Sequence, residues 1–546
     1  MSDCEEDQTS QADLVTSKLL YGFRDTNFFD PHLLESVKAV KRRQSTIMCA
    51  IGKTDISHIE LQTMMEAGMN VAKFKMWVFT KKDKIRLLKE VYKASKTLCE
   101  KYDVSDWPVA TSVELKTCET KTGLLGSNQD KIHIKTGSEV ILSHNIKIFD
   151  QCNTEQIFID SPYLTQNVLP GNICCIGSDD ILLKCIETVD KNSVRCKVLE
   201  GGKLESFSEL SLKGQPYNDP YLSKKDYEIL QFALDYHIDM VLINYCRSAE
   251  CVRMVKHFLR DAPVKPAILC GICTQHGLRS IEDILIEADG IILPREYLTY
   301  EIEHRLQINM NKIQKYLGGL CQKAGKQLII SGGIFEEAVQ NGTFYDTETF
   351  DVANSLLDGA SGFILKNCND IDYTVQTIKH LNEICGVHEP LTTNKMNFWQ
   401  SIDYRKMPTN GAEAAVLSCM LLANQICAKA IIIPTVAGTT ARYVLDMRPN
   451  CIVYTVCTSK KVSRKLATFR SVIPLVYTGR TKNLHWEEVI SARVQFALEY
   501  TVKKGHLAYG DKYVVLQRGS DNSSYCDTVR VWNMLLKKSS RVECPE

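Results

Sequence analysis

The sequence has 546 residues, which at ~150 residues per domain predicts roughly three to four domains. Hydrophobic residues make up 44% and charged residues 24% of the chain, as in globular proteins with large buried cores. The 66 Lys and Arg residues are balanced by 65 Asp and Glu residues, and the resulting charge of +1 argues against a general binder of nucleic acid or anionic membranes.

The first 44 residues predict a polar tail that leads into a short helix. This segment lacks the basic and apolar regions of a secretory signal. The most apolar stretch, residues 414–436, contains Lys429 and Pro434 and does not predict a membrane span. The 22 cysteines are therefore expected to be reduced thiols in a cytoplasmic protein.

From residue 45 onward, apolar runs of strand length alternate with helical patterns. The first unit is a strand over 45–52, a helix over 59–68 closed by Gly68, and a strand over 70–76. Later strands are predicted at 239–245, 266–272, 289–294, 326–333 and 361–367, with helices at 223–237 and 248–261. Such alternation predicts right-handed βαβ units and a closed (β/α)8 TIM barrel over residues 45–108 and 215–388.

Two regions depart from this pattern. Between residues 109 and 214, short β-like runs, one of them over 138–149, predict a small inserted domain that resembles a β-barrel. After residue 389 a new pattern begins with a helix over 413–427. It continues with strands over 429–435, 451–457, 513–518 and 529–535, and predicts a C-terminal open-sheet α/β domain over 389–546.

This domain order and several motifs resemble the pyruvate kinase family. STIMCAIG (45–52) and MMEAGMNVAKFKM (64–76) are similar to its opening strand, helix and second strand, and ELKTCETKTG (114–123) to the start of its inserted domain. GLRSIEDILIEADGIILPREYLTYEI (277–302) and DVANSLLDGASGFIL (351–365) resemble central barrel segments. AGTTARYVLDMRP (437–449) resembles the phosphate-loop region of the C-terminal domain.

The resemblance implies phosphoryl transfer from phosphoenolpyruvate to ADP, which gives pyruvate and ATP in glycolysis. It also implies Mg²⁺ or Mn²⁺, usually K⁺, and a homotetramer. The active site would lie at the carboxyl ends of the barrel strands, where cations neutralise the moving phosphoryl group. No nucleic acid or membrane is expected as a partner.

Most positions that carry this chemistry in the family differ here. The phosphoryl-contacting lysine and the threonine correspond to Gly271 and Gly332, and the two metal-binding carboxylates to Cys273 and Tyr297. On the second strand, Lys73, Lys75 and Trp77 replace an Arg, an Asn and a Ser. Glu114 and Leu115 replace the potassium-binding pair. Lys116 is retained, and Lys121 replaces an arginine. Catalysis is therefore expected to be weak or absent, and the binding of Mg²⁺ or Mn²⁺ and of K⁺, with Glu114 as the potassium candidate, is expected to be impaired.

Several local alternatives remain open. Cys270 and Cys273, with His276 nearby, are either a redox or soft-metal site or simply small buried residues. Lys73, Lys75, Lys116 and Lys121 either line a phosphate-binding pocket or are partly solvated. Thr435, Gly438, Thr439 and Thr440 form either an effector-binding loop or an ordinary helix cap. Arg442 and Arg448 are expected to form structural ion pairs.

Two alternatives concern the function itself. In an active pyruvate kinase with relocated ligands, Glu296 or Glu301 would bind the metal, and Lys75 or Lys116 would neutralise the phosphoryl charge. The other alternative is a non-catalytic binding or scaffold subunit in mixed oligomers with related active chains.

Overall fold

The computed structural model describes residues 43–52, 55–74, 80–126, 130–177, 181–302, 310–389, 410–479 and 484–534. Eight parallel strands form a closed barrel: β1 (Thr46–Ile51), β2 (Val71–Phe74), β3 (Ala110–Leu115), β12 (Met240–Ile243), β13 (Ala267–Gly271), β14 (Gly290–Pro294), β15 (Gln327–Ser331) and β16 (Gly362–Leu365). Their order around the barrel is β1-β16-β15-β14-β13-β12-β3-β2. The predicted (β/α)8 barrel is thus confirmed.

Helices connect these strands, and their apolar faces cover the outside of the barrel. They are α1 (His58–Ala67), α2 (Lys81–Tyr102), α4 (Lys224–Asp235), α5 (Ala249–Phe258), α6 (Gln275–Arg279), α7 (Ile281–Glu287), α8 (Arg295–Glu301), α9 (Met310–Ala324), α10 (Glu336–Asn341), α11 (Asp346–Leu357) and α12 (Ile371–His388). α1 begins at a capping box of Ser57 and Glu60 and ends at Gly68, whose φ is 126°. That conformation favours glycine, as the sequence predicts.

Alternation along the barrel strands separates two apolar layers. On β1, Ile47, Cys49 and Ile51 belong to the layer between strands and helices. Met48 points the other way, into the barrel interior, where it joins Val71 and other residues from the surrounding strands. The interior is therefore a packed core, and any site must lie at an end of the barrel.

The inserted region is a β domain, with one departure from prediction. Its elements are β4 (Lys131–His133), β5 (Glu139–Ser143), β6 (Gln156–Phe158), α3 (Leu164–Asn167), β7 (Ile173–Ile176), β8 (Ile181–Asp190), β9 (Ser193–Glu200), β10 (Lys203–Glu205) and β11 (Leu210–Leu212). They form a six-stranded sheet, β11-β7-β8-β9-β5-β6, and a β10-β4 pair. The predicted run over 138–149 is wrong beyond Ser143: Ile146–Ile148 is a 3₁₀ helix, capped by Asn145.

The C-terminal region is an open α/β sheet. Its elements are α13 (Gly411–Gln425), β17 (Ala430–Pro434), α14 (Thr439–Asp446), β18 (Ile452–Cys457), α15 (Lys460–Leu466), β19 (Val472–Val476), α16 (Trp486–Lys503), β20 (Lys512–Gln517) and β21 (Thr528–Asn533). The strand order is β19-β18-β17-β20-β21, with β21 antiparallel to β20. Throughout the described ranges, every helix is too short or too polar to span a lipid bilayer.

Candidate active site at the barrel mouth

The candidate site lies at the carboxyl ends of the barrel strands. Lys73 is on β2 and Glu114 on β3, while Gly271 is the last residue of β13. Gly332 directly follows β15, and Lys366 directly follows β16. The fold therefore brings most sequence-predicted site residues to one end of the barrel, which is called the barrel mouth below. Lys75 and Trp77 lie outside the described residues.

Cys273 and Tyr297 stand where the resemblance implies metal-binding carboxylates. Cys273 is fully buried, and it joins Tyr245 in the apolar core of the inserted domain, against which Tyr297 packs. The rings of Tyr245 and Tyr297 are 6.0 Å apart between centroids. Burial, and next the nearby Glu209 carboxylate, raises the pKa of the Cys273 thiol and of the Tyr297 hydroxyl. Both groups are therefore protonated and neutral at pH 7, and neither suits Mg²⁺, which prefers hard oxygen ligands.

A carboxylate does reach the mouth, but it comes from Glu296 in the first turn of α8. A Cβ atom on Gly332 would lie 1.6 Å from Glu296 Oε2. The carboxylate thus fills the space where the resemblance implies a threonine side chain. Lys366 forms an ion pair with Glu296, and its Nζ lies 5.0 Å from the centroid of the Tyr297 ring. The chain therefore neutralises this carboxylate by itself.

Gly271 supplies no charge at the position of the phosphoryl-contacting lysine. A Cβ atom there would lie 3.2 Å from Asn244 Oδ1 and 3.4 Å from Asn244 Cα. Asn244 therefore packs closely against this strand end. A longer side chain at position 271 would have to displace it.

The described lysines of the predicted phosphate pocket are all ion-paired. Lys73 Nζ lies 3.0 Å from Glu114 Oε2, and both side chains are buried. The carboxylate implied as a potassium ligand therefore already has an ammonium partner. In the inserted domain and its connection, Lys116 pairs with Asp160 at 2.6 Å, and Lys121 pairs with Glu119 at 3.1 Å. These three lysines carry compensated charge rather than a free cationic pocket.

Glu301, at the end of α8, connects the inserted domain to the barrel. Its Oε1 accepts hydrogen bonds from the Leu212 N–H at 3.2 Å and from the Tyr217 hydroxyl. Its backbone carbonyl accepts from the Gly214 N–H at 2.8 Å. Burial raises the pKa of this carboxyl to about 8, although the hydrogen bonds oppose the shift. These contacts occupy Glu301 in holding β11 against α8.

The Cys270–Cys273 pair does not converge with His276. Both cysteines are fully buried, whereas His276 is exposed on α6. Among the residues that the structure describes, no group of three or more His, Cys, Asp or Glu side chains is arranged to hold a metal ion. The arrangement supports the interpretation as small buried residues over that of a metal site.

The predicted effector loop lies between β17 and α14. The Gly438 N–H donates to Thr435 Oγ1 at 3.0 Å, and Gly438 has a φ of 83°. The buried Thr440 hydroxyl is hydrogen-bonded to Cys526, and Thr439 begins the helix. The Thr435 and Thr440 hydroxyls are thus used inside the protein, but α14 begins at Gly438 without a side-chain capping hydrogen bond, so the alternative of an ordinary helix cap is wrong.

Sequence reasoning missed Lys366, Glu209 and Asp160 as participants in the site. Lys366 and Glu296 are 70 positions apart in the chain, and Lys116 and Asp160 are 44 apart. Such pairs have no periodic signature in the sequence. The one available signal was the replacement of a family threonine by Gly332, which leaves room for another side chain.

Comparisons with known proteins agree with the fold. A family model described as pyruvate kinase, barrel domain, matches residues 42–377, and one described as pyruvate kinase, alpha/beta domain, matches residues 413–532. Pyruvate kinase PKLR of Homo sapiens is 26% identical over 494 residues, which cover 90% of this chain and 85% of that protein. Pyruvate kinase 1 of Saccharomyces cerevisiae is 25% identical over 496 residues, which cover 90% of this chain and 96% of that protein. Pyruvate kinase of Schizosaccharomyces pombe is 26% identical over 483 residues, with 88% and 92% covered.

Proposed function

The chain belongs to the pyruvate kinase family, and from this membership we propose that its own transfer of a phosphoryl group from phosphoenolpyruvate to ADP is weak or absent. The family reaction depends on positioning and on charge neutralisation by Mg²⁺ or Mn²⁺, usually with K⁺. The residues at the barrel mouth do not fit such a divalent ion. No step of the reaction is therefore assigned to a metal in this chain.

The observation that carries the proposal is the Glu296–Lys366 ion pair beside Tyr297. Glu296 is the carboxylate of the mouth best placed to replace a lost metal ligand, and Lys366 already neutralises it. A divalent ion would have to displace an ammonium from a site in which both side chains are about four-fifths buried, with exposures of 22% and 20%. Two further ligand positions hold the neutral Cys273 and Tyr297, so displacement would not recover an octahedral oxygen shell.

The known effects of single substitutions on kcat predict a large loss of catalytic rate. Removal of one donor that stabilises the transition state typically costs about 10²–10³ in kcat. Here the phosphoryl lysine, both metal carboxylates and a threonine are replaced together, as Gly271, Cys273, Tyr297 and Gly332. Effects within one catalytic unit do not simply add, but the combined loss is expected to be at least ~10³.

The test is a turnover assay of the purified protein beside an active relative. Phosphoenolpyruvate and ADP are supplied with K⁺ and either Mg²⁺ or Mn²⁺, and pyruvate formation is followed. The proposal predicts a rate at least ~10³ below that of the relative, with little response to EDTA. Metal-dependent pyruvate formation near the relative's rate would overturn it. Loss of that rate in Glu296→Gln would then identify Glu296 as a relocated ligand.

A second candidate function, as a subunit of an oligomer, is favoured by the surface of α11. Phe350 is 67% exposed and Leu357 58% exposed. Being seven residues apart, they lie on one face of the helix. The proposed partners are copies of this chain or related active chains. Co-purification of tagged protein with such chains, weakened in Phe350→Asp but not in Ile286→Asp on α7, would support mixed assembly, whereas homo-oligomers alone would exclude it.

A further inference from the structure

A small cavity lies where the barrel meets the C-terminal domain, at the end of the barrel opposite the mouth. Its volume is about 20 Å³, enough for one occupant of the size of a water molecule or a halide. The barrel contributes Gly325, Lys326, Gln327 and Ser361 to the lining, and the C-terminal domain contributes Leu445, Asp446, Arg448, Phe469, Arg470 and Ser471. An occupant would therefore touch both domains.

The donors of the cavity lack protein partners. Arg470 is 8% exposed and Gln327 is 6% exposed. Within the described part of the chain, Arg470 Nε and Nη1 and both polar atoms of the Gln327 amide are buried without a hydrogen-bond partner. An unpaired buried donor costs about 1–3 kcal/mol, and more when it is charged. An acceptor inside the cavity would remove this cost for the N–H groups of Arg470 and Gln327.

The charge of the lining is positive. Arg448 and Arg470 are close enough to repel each other, and their guanidinium groups stay protonated in proteins. Arg448 was expected to form an ion pair, but its Nη2 donates instead to the Gly359 carbonyl at 2.8 Å and to Ser361 Oγ at 3.1 Å. Both acceptors are neutral, so the charge of Arg448 is not balanced there.

Nearby carboxylates offset only part of this charge. Asp446, the one carboxylate among the described lining residues, lies 3.9 Å from the Arg442 guanidinium and also attracts the ammonium of Lys326, a third cation of the lining. Glu389 attracts Arg470, but its oxygens accept the N–H groups of Gln44 and Ser45 at 2.5 Å and 2.7 Å. Buried cations are normally paired, and this lining leaves an excess of positive charge.

We propose that the cavity binds a small monovalent anion of the halide class, such as chloride, which accepts hydrogen bonds from Arg470 and the Gln327 amide and links the barrel to the C-terminal domain. The Gln327 amide would donate to the anion through its NH₂ group. The site is separate from the barrel mouth and does not depend on catalysis.

The direct test is anomalous diffraction from crystals of the full chain grown in sodium bromide. An ordered bromide between Arg470 and Gln327 is expected. A water molecule at that position, with bromide absent at full bromide concentration, would overturn the proposal. This measurement uses the unchanged protein, so it does not depend on how a variant folds.

A second test uses thermal unfolding at constant ionic strength, with chloride replacing gluconate. Chloride is expected to raise the Tm of the unchanged protein by ~2 °C, since it binds the folded state only. The increase should disappear in Gln327→Leu, which keeps every charge, and persist in Arg279→Gln, which alters an exposed arginine on α6. An equal increase in all three proteins would contradict a specific site.

Discussion

Single residues determine which groups occupy the barrel mouth. Gly332, with a φ of 86°, leaves the space that Glu296 enters. The ammonium of Lys366 then neutralises that carboxylate. Cys273 and Tyr297 contribute apolar surface at the two positions where the resemblance implies metal-binding carboxylates. The consequence is a mouth in which Glu114 and Glu296 are each paired with a lysine of the chain.

Gly332→Ala is expected to lower the free energy of unfolding by about 1–3 kcal/mol. The new Cβ would lie 1.6 Å from Glu296 Oε2, so the carboxylate must leave Lys366, and the positive φ is unfavourable for alanine. Gly319→Ala on α9 is the matched control, because no atom lies within 4 Å of its Cβ position. Chemical denaturation measures both. Equal stability of Gly332→Ala and the parent would show that Glu296 does not fill this space.

Glu301 is expected to make stability depend on pH. Its pKa is about 8 in the folded protein against an ordinary 4.5, so the folded state holds the proton more tightly. The stabilisation from Glu301 is fully present below about pH 4.5 and is lost as the pH rises to about 8. Over this range the free energy of unfolding falls by up to ~1.4 kcal/mol per pH unit.

Glu301→Gln keeps an acceptor for the Tyr217 hydroxyl but removes this titration. Its free energy of unfolding, measured by urea denaturation from pH 5 to pH 8, should therefore fall less steeply with pH than that of the parent. Glu282→Gln, at an exposed position on α7, should keep the parental slope. If the free energy of unfolding had the same pH dependence in all three proteins, Glu301 would not be the group responsible.

At the scale of secondary-structure elements, a buried ion pair joins the C-terminal domain to the barrel. Arg464 on α15 lies 3.1 Å from Asp239, which precedes β12, and the two side chains are 15% and 4% exposed. Asp239 also accepts a hydrogen bond from the Thr111 N–H of β3. The pair thus links α15 to two barrel strands.

Arg464→Met should lower the free energy of unfolding by about 3 kcal/mol, since it leaves the Asp239 carboxylate buried without its cation. The control is Arg253→Met on α5, whose side chain is 52% exposed in its ion pair and which should change stability by less than ~1 kcal/mol. Urea denaturation compares them. A loss no larger in Arg464→Met than in the control would refute a role for this pair in joining the domains.

Local sequence patterns explain which elements could be predicted. Buried strands such as β1 and β15 are short apolar runs set between helical patterns, so the barrel follows from periodicity and spacing. The 3₁₀ helix at Ile146–Ile148 was mistaken for a strand, because its alternating isoleucines imitate strand periodicity and the Asn145 cap acts locally. The Glu296–Lys366 pair could not be predicted, since it depends on the closure of the barrel.

Across the whole molecule, the inserted domain is attached to the barrel mouth. Tyr245 and Cys273 from the barrel belong to the core of that domain. The Tyr245 hydroxyl donates to Glu209, which directly precedes β11. Together with Glu301, these contacts hold the inserted domain over the strand ends. Catalysis is therefore expected to be weak or absent for two reasons, the changed ligands and the apolar side chains that fill the mouth.

Mn²⁺ binding tests the proposed loss of catalysis most directly. It is followed by electron paramagnetic resonance with phosphoenolpyruvate and K⁺ present. An active relative under the same conditions serves as the positive control. The signal of free Mn²⁺ is expected to be unchanged by this protein at concentrations that saturate the relative. Tight binding of about one Mn²⁺ per chain, abolished in Glu296→Gln, would contradict it.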